Sequence, residues 1–294
     1  MSWLESLIAG IIQGVTEFLP VSSSGHLVIY NELIGEAGET NLTFSVLLHF
    51  ATLLAVIVVF HKDVWMLIRE FFGVLVDLVK FFGVLVGLVK DKPDFNTPER
   101  RFLLMVIIGT IPAVLAGVGI KMLDLDSVMK NIFVVAAMLV VTAIFMFLVD
   151  SFNRGKYGES DAPMKTPLLV GIFQAVAILP GLSRSGSTIF SGLLGGLRKD
   201  FAVRFAFILS IPAILGAGLL ELKDAIDTYG FALDPMFRGI QPLNLLTGFA
   251  AAAVFGFLSI KFIKVLIRNQ KFYIFGIYCL LAAVFAVLVG TGVI

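Results

Sequence analysis

The sequence predicts an all-α polytopic membrane protein built as an inverted-topology repeat. Each half is expected to contain one re-entrant helix-loop-helix and three transmembrane helices. Hydrophobic residues make up 59% of the 294-residue chain and charged residues 15%, with a mean hydropathy of +1.00. A soluble core of this size does not need such a surplus. A polar motif also occurs twice, each time within a hydrophobic segment.

Charge and cysteine content exclude several classes of protein. The net charge is +1, so nothing favours a nucleic-acid partner. The single Cys279 lies in an apolar run, which excludes a disulfide framework and a cysteine metal site. The N-terminus lacks a basic n-region, so the first hydrophobic stretch is expected to belong to the mature fold.

Six hydrophobic segments are long enough to cross about 30 Å of hydrocarbon. They are 43–61, 102–120, 131–149, 204–220, 243–263 and 272–293. Two more apolar segments, one before Glu17 and one between Pro167 and Pro180, would form helices only about 18–20 Å long. Pro, Gly and Ser interrupt each, and a second short apolar piece follows. This pattern predicts two re-entrant hairpins.

An odd number of spans per half requires the second half to be inverted relative to the first. We therefore expect a single membrane domain over 1–294, with repeats at 1–150 and 160–294 and hairpins that meet near the midplane. Seventeen basic residues fall on the face reached after the first span and four on the other, with Arg184 left inside the motif. The positive-inside rule then predicts that both termini are extracytoplasmic.

A tandem repeat lies between the first two predicted spans, FFGVLVDLVK at 71–80 and FFGVLVGLVK at 81–90. We expect membrane-surface structure here, either an interfacial helix pair or one long amphipathic stretch. A ten-residue period turns by about 80° per copy on an α-helix, so one clean apolar face is not expected.

The two motif copies read GIIQGVTEFLPVSSSGH (Gly10–His26) and GIFQAVAILPGLSRSGST (Gly171–Thr188). In the second copy, Gly and hydroxyl residues surround Arg184 before an apolar helix expected to begin near Thr188. N–H groups at a helix start and an arginine fork together predict an anion site. Ser183, Ser185 and Thr188 are expected to donate further hydrogen bonds. The alternative is a Gly/Ser turn whose arginine extends to a membrane interface.

In the first copy, Gln13 and Glu17 are spaced i, i+4 and project from one helical face. A carboxyl group in hydrocarbon is expected to be neutralised or to pair with a cation, a metal or Arg184. His26 begins the return helix, where the repeat would bring it near Arg184, whereas His49 and His61 are interpreted as packing residues. Ser22, Ser23 and Ser24 either cap the return helix or include a nucleophile whose proton His26 or Glu17 accepts.

These motifs resemble the undecaprenyl-diphosphate phosphatase family, also known as bacitracin-resistance protein BacA or UppP. The resemblance rests on Q-x-x-x-E at Gln13–Glu17, the following FLPVSSSGH, and PGLSRSGST at 180–188, and it extends over essentially the whole chain. The family has Gln or Glu at the first position, so Gln13 fits the pattern but removes one potential metal-binding carboxylate.

The resemblance implies hydrolysis of undecaprenyl diphosphate to the monophosphate in the bacterial plasma membrane, with help from a divalent cation, Mg²⁺ or Ca²⁺. The partners would be a polyprenyl diphosphate and membrane lipids, and a homodimer stays open. We expect Arg184 and the groups at 183–188 to hold the terminal phosphate. Glu17 and His26 would divide the proton transfers, and Glu17 would bind the metal. Ser23 is the expected nucleophile, with direct attack by water as the competing route.

The expected substrate-binding residues share a place in one of the two motifs. They are Gln13, Ser22, Ser24, Ser183, Arg184, Ser185 and Thr188.

Two other functions stay open. A secondary transporter or lipid-phosphate flippase would use the same repeat and anion site without hydrolysis, but it needs no acid and histidine beside the arginine. SSGH and SRSG also resemble motifs of the membrane type-2 phosphatidic acid phosphatases. This chain lacks their upstream K-x6-R-P motif, and no histidine follows Arg184.

Overall fold

The computed structural model describes residues 1–33, 42–85, 97–123, 131–151, 155–230, 240–269 and 271–294. Over these ranges the chain is all-helical, with one isolated β-bridge between Tyr157 and Leu197. The helices are α1 (Trp3–Phe18), α2 (Ser23–Leu33), α3 (Leu42–Val59), α4 (His61–Leu85), α5 (Pro98–Leu123), α6 (Ile132–Val149), α7 (Lys165–Val176), α8 (Arg184–Leu194), α9 (Lys199–Tyr229), α10 (Pro242–Asn269) and α11 (Tyr273–Gly290). The predicted all-α class is confirmed.

The chain is a multi-pass membrane protein. Among the described residues, α5, α6, α9, α10 and α11 are each long and apolar enough to cross a membrane. These five helices match five of the six predicted spans. The sixth, predicted at 43–61, corresponds to α3, which qualifies only together with α4, and the two helices meet at a bend of 90°.

Two short helices begin the two predicted hairpins. α1 has 16 residues and starts at a capping box formed by Ser2 and Glu5, whereas α7 has 12. At 1.5 Å per residue they are about 24 and 18 Å long. Each is followed by a turn and an 11-residue helix, α2 or α8. We call α1, residues 19–22 and α2 the first hairpin, and α7, residues 177–183 and α8 the second hairpin.

Each hairpin packs closely on a long helix from the other half of the chain. α1 lies against α10, and α7 lies against α5. Glycines allow this approach: a Cβ on Gly10 would collide with the carbonyl oxygen of Gly248, and one on Gly171 with that of Gly109. Small residues at such contacts are typical of helices that associate in membranes, because they let backbones approach.

The tandem repeat lies largely within α4. This helix covers the first copy, 71–80, and the second copy as far as Leu85, while 86–90 lie outside the described residues. The long-stretch alternative is therefore correct up to Leu85. The expectation of no clean apolar face is wrong for 61–80, because exposed apolar side chains line one side of α4 there. The error came from considering only the ten-residue period of the tandem repeat. The row of exposed apolar side chains begins at Trp65, before the first copy.

Candidate active site

The fold brings the two motif copies into direct contact. The Ser185 hydroxyl, in the second hairpin, donates to the Leu19 carbonyl oxygen in the first over 3.1 Å. A Cβ on Gly25 would lie only 3.0 Å from the Cα of Gly181. In both turns the residues from the proline to the capping serine, 20–22 and 180–183, are buried. Polar groups that lie 161 residues apart in sequence therefore share one enclosed region.

Glu17 is the centre of this region. Its side chain is only 4% exposed and forms an ion pair with Arg184, whose guanidinium Nη2 faces the carboxylate Oε1. The other oxygen, Oε2, accepts hydrogen bonds from Ser23 Oγ at 2.5 Å and from Gln13 Nε2 at 2.9 Å. Of the three partners that the sequence offered for Glu17, the structure shows Arg184. A buried carboxylate needs such compensation, because desolvation of an unpaired charge is very costly.

Ser23 is placed as an activated hydroxyl would be. It is the first residue of α2 and is partly exposed. Its hydroxyl is the donor to Glu17, because an ionised carboxylate can only accept. A hydroxyl within hydrogen-bond reach of a base, with that base oriented by a third group, is the arrangement expected of a nucleophile. Arg184 and Gln13 are the orienting groups here.

Arg184 occupies the start of α8 rather than a loop before it. The predicted helix start near Thr188 is wrong, because α8 begins at Arg184 with Ser183 as its N-cap. The Ser183 hydroxyl accepts from the Gly186 N–H at 3.1 Å. Because this serine is the N-cap, the helix begins at the next residue, earlier in the chain than predicted. The Arg184 side chain is 21% exposed. The guanidinium thus lies at the positive end of the α8 dipole, which favours an anion there.

The remaining predicted hydroxyls stabilise the two turns. Ser22 caps α2 as Ser183 caps α8, accepting from the Gly25 N–H at 3.3 Å, and it has a left-handed backbone with φ of 71°. The Ser24 hydroxyl lies 3.4 Å from that of Ser22. Thr188 donates to the Arg184 carbonyl oxygen at 2.9 Å. Substrate contacts by these hydroxyls stay predictions.

His26 lies at an apolar groove instead of against Glu17. Its Nδ1 is 2.7 Å from the Ser22 carbonyl oxygen and its Nε2 is 2.8 Å from the Tyr278 hydroxyl. A carbonyl can only accept, so Nδ1 carries a proton, and in the neutral ring Nε2 accepts from Tyr278. The two rings also stack, 5.6 Å apart at 8°.

The groove beside His26 has a volume of about 370 Å³ and lies between α1, α2 and α11. Its lining consists of His26, Tyr30 and Tyr278 together with six apolar residues: Ile12, Ile29, Leu33, Leu281, Ala282 and Phe285. A long hydrocarbon chain fits such a lining.

Comparison with known proteins settles the family. The family model described as bacitracin resistance protein BacA matches residues 6–285. The chain belongs to the BacA family. Its similarity to curated relatives covers nearly the full length of both chains. An undecaprenyl-diphosphatase of Methanosphaera stadtmanae is 37% identical over 285 residues, covering 97% of each chain.

Other relatives of this BacA-family chain agree. One named undecaprenyl-diphosphatase from Methanobrevibacter smithii is 39% identical over 280 residues, covering 95% of this chain and 94% of its own. Another, undecaprenyl-diphosphatase 1 of Corynebacterium jeikeium, is 36% identical over 295 residues, covering 100% and 96%. The resemblance stated from the two motifs is therefore confirmed.

Sequence reasoning about this BacA-family site missed three residues. His49, interpreted as a packing residue, does donate from Nδ1 to the Ser45 carbonyl oxygen, but its Nε2 also lies 3.8 Å from Glu17 Oε2. Because Nδ1 must donate to that carbonyl, Nε2 can present a proton to Glu17 only when the ring is positively charged. A histidine inside a predicted span was the signal that should have marked it.

Thr142 and Tyr278 left no signal in the sequence. The Thr142 hydroxyl is 3.0 Å from both the Gly181 carbonyl oxygen and the Ser183 N–H, so it bridges two backbone groups near the end of the second turn. Tyr278 reaches His26 from 252 positions away. Neither residue lies in a motif, and only the packing of α6 and α11 beside the hairpins brings them to the site.

Proposed function

We propose that this protein is an undecaprenyl-diphosphate phosphatase. It would remove the terminal phosphate of the C55 lipid diphosphate, recycling the carrier for cell-wall synthesis and conferring bacitracin resistance. The observation that carries the proposal is the junction of Ser23, Glu17 and Arg184, in which a hydroxyl, a base and an anion-binding cation come from two separate motifs. The names of the BacA-family relatives agree with this activity.

In the first step, Arg184 and the N–H groups at the start of α8 hold the terminal phosphate and stabilise the charge that develops on its oxygens. Ser23 Oγ attacks the terminal phosphorus while its proton passes to Glu17 Oε2 along the existing hydrogen bond. The bond from phosphorus to the bridging oxygen breaks. Undecaprenyl phosphate leaves with the electron pair, and a phosphoserine stays behind.

In the second step, water attacks the phosphoserine and Ser23 Oγ leaves, taking back the proton held by Glu17. The proton of the attacking water goes to the departing phosphate, or to His26 Nε2 after this nitrogen releases the Tyr278 hydroxyl. Direct attack by water on the diphosphate is the competing route. His49 adds a second imidazole within 3.8 Å of Glu17, and its positively charged form would support Arg184 in balancing the carboxylate.

The groove beside His26 suits the hydrocarbon chain of the substrate. Its apolar lining would take the isoprenoid units nearest the diphosphate, with His26 and Tyr278 at the polar end. This position would place the lipid chain between α2 and α11 and the phosphates against the two turns.

The site fits a divalent cation supplied together with the substrate. No cluster of three or more potential metal-ligating side chains occurs among the described residues. However, Gln13 Oε1 is buried beside Glu17 and has no hydrogen-bond partner within the part of the chain that the structure describes. Mg²⁺ commonly takes one or two protein oxygens and completes its shell with phosphate oxygens and water. Glu17 and Gln13 Oε1 would hold the ion, and its charge would lower the repulsion between the diphosphate and an incoming oxygen.

We also propose that the second half of the chain is inverted relative to the first. Packing between the halves is reciprocal: α1 lies on α10 as α7 lies on α5, and α3 contacts α10 as α9 contacts α5. The last helices of the halves, α6 and α11, pack on each other. Exchange of the halves preserves this pattern, as a two-fold axis would require. We place both termini and the opening of the site on the extracytoplasmic side.

The test is phosphate release from C55 diphosphate by purified protein in detergent with Mg²⁺. Turnover by the wild type should fall at least about 10³-fold in Arg184→Ala, because an arginine on a transferring phosphoryl group contributes on that scale. Arg100→Ala is the matched control, since Arg100 also pairs with acids, Asp77 and Glu70, neither of which lies in the two turns.

Removal of the cation with EDTA should lower turnover, and Mg²⁺ should restore it. A folded wild type that binds the lipid but releases no phosphate would contradict the enzyme proposal. A transporter or flippase would then be the better account, because the broken hairpins and reciprocal packing occur in that class as well.

A further inference from the structure

Helix α4 carries a stripe of exposed apolar side chains that no other helix of the described chain covers. Trp65 is 69% exposed, Phe72 61% and Val79 72%. Ile68, Leu75 and Val76 belong to the same stripe and are exposed as well. At about 100° per residue these six side chains fall within about 100° around the helix axis. The α4 stripe, defined by these six residues, therefore faces away from the protein.

Acidic residues on the other side of α4 fix its rotation. Asp63, Glu70 and Asp77 recur every seven residues and point toward the helices behind. Asp63 pairs with Arg204 of α9 at 2.6 Å. Arg100 of α5 pairs with Glu70 at 3.4 Å and with Asp77 at 2.5 Å. Contacts at three points along the helix keep the stripe on the outer side.

A row of basic residues runs along one edge of the stripe. Lys62, Arg69 and Lys80 are exposed and lie within about 60° of Trp65 around the axis. Arg69 also contacts Glu70 at 3.2 Å, and Lys80 contacts Asp77 at 3.3 Å. Their side chains nevertheless stay 67% and 55% exposed. The edge therefore presents positive charge beside an apolar surface.

The direction of α4 matches a helix that lies along a membrane surface. It leaves the apolar helix α3 at 90°, so it would run parallel to the bilayer if α3 crosses it. An apolar face flanked by lysine and arginine is the composition of interfacial helices, which place the apolar side among acyl chains and the basic side among lipid phosphates.

We propose that α4 is a docking surface for the anionic phospholipid headgroups of the surrounding bilayer. The α4 stripe inserts at the boundary of the acyl chains, and Lys62, Arg69 and Lys80 bind headgroup phosphates. This interaction is independent of the hydrolytic site. It anchors α4 to the bilayer, while the ion pairs with α5 and α9 hold the same helix to the rest of the protein.

Trp65 provides a direct test, because Trp3 is the other tryptophan of the chain and W3F leaves Trp65 as the single emitter. W3F protein is placed in phosphatidylcholine nanodiscs that contain an equal small fraction of dibrominated phosphatidylglycerol or dibrominated phosphatidylcholine. Bromine quenches tryptophan only at acyl-chain depth. We expect quenching by both lipids, about two-fold stronger with the phosphatidylglycerol, because the basic edge enriches anionic lipid around α4.

Two triple variants identify the residues responsible. In the W3F background, K62Q/R69Q/K80Q should make the quenching of Trp65 by the two lipids equal without abolishing it. K156Q/K165Q/K271Q removes three other exposed lysines and should leave the two-fold difference intact. Loss of the difference in this control would overturn the assignment to α4.

The lipid comparison in W3F decides the proposal even if a triple variant does not fold. Equal quenching by the two lipids would show that the stripe enters the bilayer without selecting anionic headgroups, which overturns the proposal. Absence of quenching by either lipid would also overturn it, since the stripe would then lie in water or against a second copy of the chain.

Discussion

The first and second turns have the same hydrogen-bonded frame but opposite chemistry. Ser22 caps α2 through the Gly25 N–H, and Ser183 caps α8 through the Gly186 N–H, each pair 161 residues from its counterpart. The residue after the cap is Ser23 in one turn and Arg184 in the other. Both side chains extend to the same carboxylate, Glu17. The two turns thus place equivalent positions against the same carboxylate, and these positions differ only in carrying a serine or an arginine.

The asymmetry continues along the hairpins. The position equivalent to Glu17 is Ile178, and the position equivalent to His26 is Ser187. Gln13 donates to Glu17, whereas its equivalent Gln174 is buried with both amide atoms lacking a partner among the described residues. The acid, the hydroxyl and the imidazole therefore belong to the first hairpin, and the second supplies the cation. Under the proposed function, the first hairpin would carry the proton transfers and the second would bind the phosphate.

Glu17 is the group that both turns share, so its replacement should have the largest effect. Glu17→Gln removes the base for Ser23 and the charge opposite Arg184, and we expect phosphate release to fall by about 10³-fold or more. Glu5→Gln on the same helix, in the exposed capping box with Ser2, should change turnover less than about two-fold. Comparable losses in both variants would contradict the central place of Glu17.

Replacement of Ser23 should lower catalysis without lowering substrate binding. Ser23→Ala should lower turnover by about 10³-fold while leaving affinity for the lipid diphosphate nearly intact, since the anion-binding cation is Arg184. Ser24→Ala, one residue further along, should cost less than about ten-fold. Because Ser23 and Glu17 act as a unit, the double variant with Glu17→Gln should be no slower than the slower single variant. Additive losses would argue for water attack.

Thr142 tests the frame of the second turn alone. Thr142→Val removes the hydroxyl that bridges Gly181 and Ser183, leaving two buried backbone groups without this partner. We expect about 1–3 kcal/mol lower stability, measured by denaturation in detergent, and about ten-fold weaker binding of the diphosphate. Thr142→Ser should restore both. A variant that loses stability but binds normally would limit Thr142 to a structural role.

Tyr278 tests the outer edge of the first hairpin and should give the smallest effect. Tyr278→Phe keeps the ring stacked on His26 but removes the 2.8 Å hydrogen bond. We expect a several-fold decrease in kcat with a smaller change in KM, because the imidazole loses its fixed orientation. Tyr273→Phe, an exposed tyrosine on the same helix, is the control. An equal effect of both substitutions would exclude a role through His26.

The sequence predicted the parts of this site that lie within the motifs. From the 161-residue spacing of the two motifs we predicted that the two turns meet. Because a buried acid needs a partner, Arg184 was among the candidates to pair with Glu17. A serine cap on α2 was one of the two alternatives for Ser22, Ser23 and Ser24, because serine is a residue type that begins helices. The start of α8 was misplaced because the Ser183 cap was counted as part of a loop.

What the sequence could not predict depends on how helices rotate against one another. Thr142 and Tyr278 lie on two different long helices, and their side chains reach the hairpins only because of the rotation that packing fixes. The apolar stripe of α4 was missed for a related reason. Its boundary depends on the ion pairs of Asp63, Glu70 and Asp77 with other helices, which the ten-residue period of the tandem repeat does not reveal.

The central claim is that Ser23 and Arg184, at equivalent positions of the two turns, meet on Glu17 to transfer a phosphoryl group. It is tested most directly by single-turnover mixing with C55 diphosphate, rapid acid quenching and peptide mass spectrometry. We expect a phosphorylated Ser23 that forms before free phosphate and decays as phosphate appears, and that is absent in Arg184→Ala. Complete turnover with no phosphoserine at any time, together with an active Ser23→Ala, would contradict it.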